Sequence, residues 1–430
     1  MKYKQIDPLL FVKNRKKFTA AMRPNSVAVF NSNDIYPVSA DSTLPFAQHR
    51  DIFYLSGIDQ EESILVLFPD APFEQLRELL FVRETNAQIA VWEGAKLTQA
   101  QAFEVSGIKT VYWLADFERV LKEIMAYADT MYINTNEHYR SAVETQTRED
   151  RFIKWWKETY PAHQVAKSNP ILQQIRSIKE AEEIALIQHA CDITEKGFRR
   201  VLSFVKPGVW EYEIEAELIH EFIRNRSKGF AYTPIIASGN NSNVLHYIEN
   251  NQACLSGDLI LLDTASEYAN YSSDLTRTIP VNGRYSKRQR QVYDAVLRVK
   301  NEATKMLAPG TLWRNYHEEV GKIMTSELLG LGLLDRADLQ NEDPAWPAYK
   351  KYFMHGTSHQ LGLDTHDYGL LHLPMEANMV FTVEPGIYIP EEGFGIRLED
   401  NVVIQPQGEP INLMKNIPIL AEEIESLMNT

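Results

Sequence analysis

Cysteine is scarce: the 430-residue chain has two, Cys191 and Cys254, too few for a disulfide framework. Long apolar runs are missing as well. No stretch reaches the roughly 20 residues of a membrane-spanning helix. The opening segment MKYKQIDPLLFVKNRKK is broken by Asp7 and Pro8 and lacks a signal peptide's apolar stretch. These absences set the expectation of a reducing, cytoplasmic location. Positive charge is in deficit, with 44 basic against 58 acidic side chains and a net charge of −14. Phosphate backbones and anionic membranes require clustered Lys and Arg, so neither nucleic acid nor membrane is expected as a partner. The one basic run, Lys13–Lys17, reads as a solvated helix face. No GxGxxG or P-loop sequence occurs, and nothing recommends a nucleotide site. At 44% hydrophobic and 24% charged residues, the composition is ordinary for a globular protein and excludes disordered and collagen-like classes.

What is present suggests an α/β (α+β) chain of two domains, residues 1–172 and 173–430. In the first, Ser26–Phe30, Ser63–Phe68, Leu79–Glu84 and Val111–Leu114 are β-branched or aromatic runs of strand length. Helix-like stretches, Phe73–Leu80 and Thr98–Val105, lie between them, which predicts a small domain with a mixed sheet. A charged, Trp-bearing helix from Arg148 to Tyr160 leads to Pro161 and Pro170. Ser177-Ile178-Lys179-Glu180 has the pattern of a capping box opening a helix. The stripe of that helix runs from Ile184 to Leu202, and Pro207-Gly208 ends it. A second helix follows Trp210, then a polar glycine loop and strands. The same grammar recurs: Ser286 opens a helix, Pro309-Gly310 closes it, a Trp313-led helix follows, and strands come after. The corners VKPGVWEYEIEAEL and LAPGTLWRNYHEEV lie 102 residues apart. Each half thus predicts helix, Pro-Gly, helix, and strands bearing two carboxylates, an internal pseudo-twofold with one shared site. Residues Leu333–Lys351 read as a loop excursion.

Those carboxylates are Asp263 and Asp274, on one apparent hairpin, and Glu384 and Glu399, in VEPGIYI and GIRLEDNVVI. With His359, in HGTSHQLGLDTHD, they make a hard, oxygen-rich set of the kind that suits Mn(II). Four acids in one cleft would repel one another without cations between them. Singly, either aspartate reads as a turn or cap residue, and Arg397 with Glu399 as a surface ion pair. Together they point to a metal centre. His355 and His359 are four apart but lack the Glu of HExxH, and Gly356, Thr357 and Ser358 argue for an irregular segment. His366 follows closely. His246, alone in NVLHYIEN, reads equally as a core histidine or a site residue.

LLDTASEYANYSSDLTRTIPVNG, MHGTSHQLGLDTHD, FTVEPGIYI and GIRLEDNVVI resemble the pita-bread metallopeptidases: aminopeptidase P, prolidase and methionine aminopeptidase. FTAAMRPNSVAVF and FAQHRDIFYLSGIDQEESILVLFPD resemble the aminopeptidase P amino-terminal domain, and the two matches cover nearly the whole chain. The resemblance implies a pita-bread catalytic domain with two divalent ions, Mn2+ first, with Co2+ or Zn2+ able to occupy the same shell. It implies that Asp263 holds one ion, that Asp274 and Glu399 bridge, and that His359 and Glu384 complete the second. Glu384 is then the proton carrier, and His246 and His366 hydrogen-bond donors to the substrate's carbonyl. His355 and Arg397 line the leaving-group side, and Tyr388 is assigned to the proline pocket. The implied activity is removal of the residue preceding a proline in second position. Prolidase, restricted to dipeptides, is the alternative, and a catalytically inactive peptide-binding protein of this fold a remote one. A homo-oligomer, dimer or tetramer, is implied by the resemblance alone. Gln360, Tyr368 and Ala265-Ser266 depart from the family pattern; none is a ligand, so they bear on substrate preference.

Overall fold

The computed structural model describes residues 2–141 and 143–430. They form two compact units, the first ending at Arg176 and the second running from Ser177 to Thr430.

The first unit is built on the predicted mixed sheet. The four expected strands form, as Ser26–Asn31, Ile64–Leu67, Glu78–Val82 and Thr110–Trp113, and Thr130–Ile133 and Gln164–Lys167 join them. Across the sheet the order is 110–113, 78–82, 64–67, 26–31, 130–133, 164–167. Ser26–Asn31 runs antiparallel to Ile64–Leu67 and parallel to Thr130–Ile133. Central strands are buried on both faces, which is why they read as unbroken apolar runs rather than alternating ones. Val27, Val29, Ile64, Val66 and Phe81 share a core with Phe117, Val120, Leu121 and Ile124 of the helix Phe117–Met125 and with Phe152 and Trp156 of the helix Arg148–Thr159. Phe30 meets Phe18 of the helix Pro8–Ala20 edge to face at 5.2 Å.

Three local expectations are corrected. Phe73–Leu80 is not a helix: only Glu74–Leu76 turns, and Glu78–Val82 is drawn into the sheet between two partners. The run Lys13–Lys17 is not a wholly solvated face. Arg15 lies four residues from Phe11 and three from Phe18 on the buried side of its helix. There it pairs with Glu78 and donates to the carbonyls of Leu55 and Ser106. Ser177 does not open the long helix but ends the helix Asn169–Ser177. The helix Ala181–Phe204 is capped at Glu180, whose N–H donates to the Glu183 carboxylate.

The second unit repeats one pattern twice. In the first half the helices Ala181–Phe204 and Glu211–Arg224 flank the Pro207-Gly208 corner. In the second, Lys287–Lys305 and Trp313–Gly330 flank Pro309-Gly310. Gly208 and Gly310 have φ of 96° and 90°, left-handed values that glycine adopts without a Cβ clash. Each helix pair is followed by a long antiparallel strand pair with a short hairpin inserted between its strands. Leu259–Asp263 pairs with Thr276–Pro280, in register Asp263 to Thr276, around the hairpin Glu267–Ser272. Val380–Val383 pairs with Asp400–Val403, Val383 opposite Asp400, around the hairpin Gly386–Arg397. Ile235–Ser238 adds an edge to the first pair and Ile411–Asn412 to the second. The excursion over 333–351 contains only the short helix Arg336–Gln340 and the turn Ala348–Lys351. Among the described residues no helix is long and apolar enough to cross a membrane.

Candidate metal centre

The repeated strand pairs explain the position of the acids. Asp263 ends the outgoing strand of the first half, and Glu384 directly follows that of the second. Asp274 and Glu399 stand just ahead of the returning strands, at Thr276 and Asp400. The halves meet along a seam in which Glu399 N donates to Thr276 O and Thr278 Oγ1 donates to Arg397 O. A second tie runs from Asp274 N to Asn401 Oδ1 (3.0 Å) and back from Asn401 Nδ2 to Asp274 O (2.7 Å). His359 arrives on a segment that is irregular, as expected, and that lies along Val380–Val383. Thr382 N donates to His359 O, and Glu384 N to Thr357 O.

Asp274, His359 and Glu399 each offer a ligand atom, all within 4.8 Å of one another, the only such group among the described residues. His359 Nε2 lies 3.4 Å from Asp274 Oδ2 and 3.5 Å from Glu384 Oε1, which brings a fourth predicted ligand into the cluster. Asp263 contributes its charge at Asp274, Glu384 and Glu399. The electrostatics are those of crowded, buried acids. Burial, then neighbouring negative charge, holds the Glu399 carboxyl well above its usual range. Burial raises Asp274 against the opposing bond from His359, and pushes Glu384 up to about 7. Burial alone would lower His359, but its bond to Asp274 and the charge of Glu384 raise it. Glu399 Oε1 is buried with no hydrogen-bond partner among the described residues. A buried acceptor without a donor, among carboxylates that resist ionisation together, is the environment a divalent cation relieves. The residues fit a metal centre.

Arg397 organises the opposite wall. Its Nη2 donates to Asp263 Oδ2 (2.6 Å), its Nη1 to the Tyr388 hydroxyl (2.7 Å), and its Nε to Thr276 Oγ1 (3.2 Å). Thr276 in turn donates to Glu399 Oε2 at 2.7 Å. Arg397 therefore reaches one acid of the first half directly and one of the second through a hydroxyl. Burial opposes its charge, but Tyr388 and Asp263 hold its pKa well above the ordinary value. His355 closes the chain. Burial, with Arg397 behind it, lowers its pKa to about 3, so the ring is neutral. Its Nδ1 faces the Gly356 carbonyl at 2.8 Å and must carry the hydrogen, so Nε2 accepts from the Tyr388 hydroxyl at 2.7 Å. Tyr388 is buried, its hydroxyl occupied by His355 and Arg397, and packs with Ile235, Ala237 and Leu261. Of the other predicted histidines, His366 is exposed with its ring 4.4 Å from that of His359. His246 is exposed on the loop after Gly239–Asn243, near enough to His355 to lower its pKa further.

Sequence reasoning missed several supporting groups. The Tyr232 hydroxyl donates to Asp263 Oδ1 at 2.6 Å, filling the oxygen that Arg397 leaves. Burial and the Asp263 charge hold that phenol well above its usual pKa, so it stays a donor. Thr382 Oγ1 accepts from His359 N at 3.1 Å. Tyr232 precedes a strand whose Ile235 pairs with Asp263, a register that no sequence pattern announced.

The chain is similar to known proteins along nearly its whole length. The profile of metallopeptidase family M24 matches residues 185–406, and that of the aminopeptidase P N-terminal domain residues 11–132. The chain is 34% identical to Xaa-Pro aminopeptidase of Escherichia coli (strain K12), covering 97% of each chain. It is 30% identical to Xaa-Pro aminopeptidase 3 of Homo sapiens over 94% of this chain and 81% of the other. Its structure is similar to zinc-substituted E. coli aminopeptidase P in complex with product, with a TM-score of 0.88 at 32% identity and 99% coverage of both chains. With both domains matched along nearly its full length, the chain belongs to the aminopeptidase P branch of metallopeptidase family M24.

Proposed function

We propose that this chain is an Xaa-Pro aminopeptidase that uses divalent ions, Mn2+ before Co2+ or Zn2+, held by Asp263, Asp274, His359, Glu384 and Glu399. The observation that carries the reading is the convergence of Asp274, His359, Glu384 and Glu399 from strands of both halves around a buried, donor-free Glu399 oxygen. When bound, such ions lower the pKa of a water and polarise the scissile carbonyl. The protein's own side chains do the remaining work. Glu384, next to His359 and less encumbered than Glu399, takes the attacking water's proton and hands it to the leaving nitrogen. His246 and His366, the exposed pair among the predicted site histidines, donate to the carbonyl oxygen as charge develops. Arg397, fixed by Tyr388 and Thr276, holds and orients Asp263, and His355 with Tyr388 forms the rigid wall on the leaving-group side. Tyr388 thereby serves the proline side as a buried brace.

Proline selectivity has a physical basis: the bond before proline has no N–H and the ring fixes φ, so its pocket need satisfy no donor. The same reading carries peptides with penultimate proline as partners, a cytoplasmic location and a homo-oligomer. The test is hydrolysis of Ala-Pro-Phe, Ala-Pro and Ala-Ala-Phe by the Mn(II)-loaded protein. Selective cleavage of the first is expected. Dipeptide-only cleavage would replace the proposal with prolidase, equal cleavage of Ala-Ala-Phe would remove the proline pocket, and inactivity with metal bound would leave a peptide-binding protein.

A further inference from the structure

The loop that carries His246 has little regular structure. After the turn Gly239–Asn243 it runs without helix or strand to Gln252, yet an exposed histidine in such a loop needs a fixed position to act. Two features hold it. Leu245 and Tyr247, on either side of His246, pack against Ile235, Ala237, Leu261 and Tyr388, leaving the imidazole between them exposed. The second is Glu211, in the first turn of the helix after the Pro207-Gly208 corner and fully buried.

The Glu211 carboxylate receives four donors. Oε1 accepts from Ser238 N (2.8 Å) and Ser238 Oγ (2.6 Å) at the start of the loop. Oε2 accepts from the Tyr247 hydroxyl (2.8 Å), next to His246, and from Gln252 N (2.9 Å) at the loop's end. Glu211 N returns a bond to Gln252 O. One acid thus ties both ends and the middle of a single loop, and only an ionised carboxylate can accept all four donors at once. The second half shows a counterpart: Tyr316, on the helix after Pro309-Gly310, exchanges a 2.8 Å hydrogen bond with Ser358, adjacent to His359.

We propose that Glu211 is a positioning residue for catalysis, acting through His246 by clamping the loop that presents it. This rests on the reading of His246 as a donor to the scissile carbonyl. The experiment is a double-mutant cycle in the full-length, Mn(II)-loaded protein with Ala-Pro-Phe as substrate, using Glu211→Gln, His246→Ala and the pair. Glutamine keeps the size but presents donors to at least one of the four donors. His246→Ala is expected to lower kcat about a hundredfold, and Glu211→Gln about tenfold with KM changed less than about twofold. In the His246→Ala background, Glu211→Gln should cost less than about twofold, because the group it positions is gone. The same fractional loss in both backgrounds would make Glu211 purely structural and overturn the proposal. A fully active His246→Ala protein would overturn the reading of His246 itself, a failure visible in that single variant. If Glu211→Gln does not fold, Tyr247→Phe removes one donor and keeps the packing; a loss of about threefold that vanishes without His246 supports the clamp, and a loss that persists refutes it.

Discussion

Glu149 lies in the first turn of the helix Arg148–Thr159 and is 5% exposed. Its carboxyl accepts from Asn31 N at 2.7 Å and Asn31 Nδ2 at 3.0 Å. These bonds favour the charged form, but burial outweighs them and pushes the pKa up to about 8. Between the ordinary 4.5 and about 8 the unfolded chain has released a proton that the fold retains. This group's contribution is therefore fully present below pH of about 4.5 and is lost as pH rises through the folded pKa, at about 1.4 kcal/mol per pH unit. Across the whole window that amounts to about 5 kcal/mol, a large share of an ordinary domain's stability. Glu149→Gln removes the titration. Its carbonyl still accepts from Asn31 N, and a turned Asn31 amide can accept from the new NH2. Urea unfolding of both proteins between about pH 5 and 8, with matched metal content, should show the variant gaining about 4 kcal/mol on the wild type from the acid to the alkaline end. Two stability curves that run parallel would refute the reasoning.

Asp263→Asn keeps the shape that Tyr232 and Arg397 hold but removes the charge, so turnover should fall about a thousandfold, a loss near 4 kcal/mol of transition-state stabilisation, with an unchanged far-ultraviolet spectrum; full activity would sink the metal reading. Arg277 is fully buried, binds Asp400 at 2.7 Å and holds the carbonyls of Thr276, Glu399 and Pro418. Arg277→Met leaves those carbonyls without their donor and Asp400 with Lys300 as its remaining cation, and should cost about 3 kcal/mol by denaturant unfolding, whereas a loss below about 1 kcal/mol would show the ion pair to be dispensable. Gly395→Ala would place a Cβ 2.5 Å from Ser242 O, in the turn leading to His246. The backbone must shift, and kcat should drop about tenfold at preserved metal content; unchanged kinetics would show that the turn does not place the histidine.

The site was more legible than its supports because its chemistry is written in residue types. Acids at strand ends and a histidine in a glycine-rich segment remain visible without a fold, and the twin Pro-Gly corners exposed the repeat. The stretch Phe73–Leu80 was misread because its local propensity favours a helix, and the pairing that draws its end into the strand Glu78–Val82 lies 11 or more residues away in each direction. Arg15 was misread for a similar reason. A run of cations signals solvent, and nothing nearby announces that Glu78 and two carbonyls wait 40 to 91 residues on. Tyr232, Thr276 and the Tyr388–His355 link act through single hydroxyls whose partners are fixed only by strand register, so no periodicity betrays them.

The seam between Thr276–Pro280 and Phe394–Arg397 also sets a timetable. His359, Glu384 and Glu399 all belong to the last fifth of the chain, and Asp263 and Asp274 precede them by 85 or more residues. A ribosome making this protein releases the first acids long before their counterparts exist. The nascent chain therefore cannot hold the full set of proposed ligands until Glu399 has been made. A chain stopped short of Glu399 lacks one of the five proposed ligands. Loading of the proposed site with metal is in this way a check that synthesis has passed Glu399, made by the geometry alone.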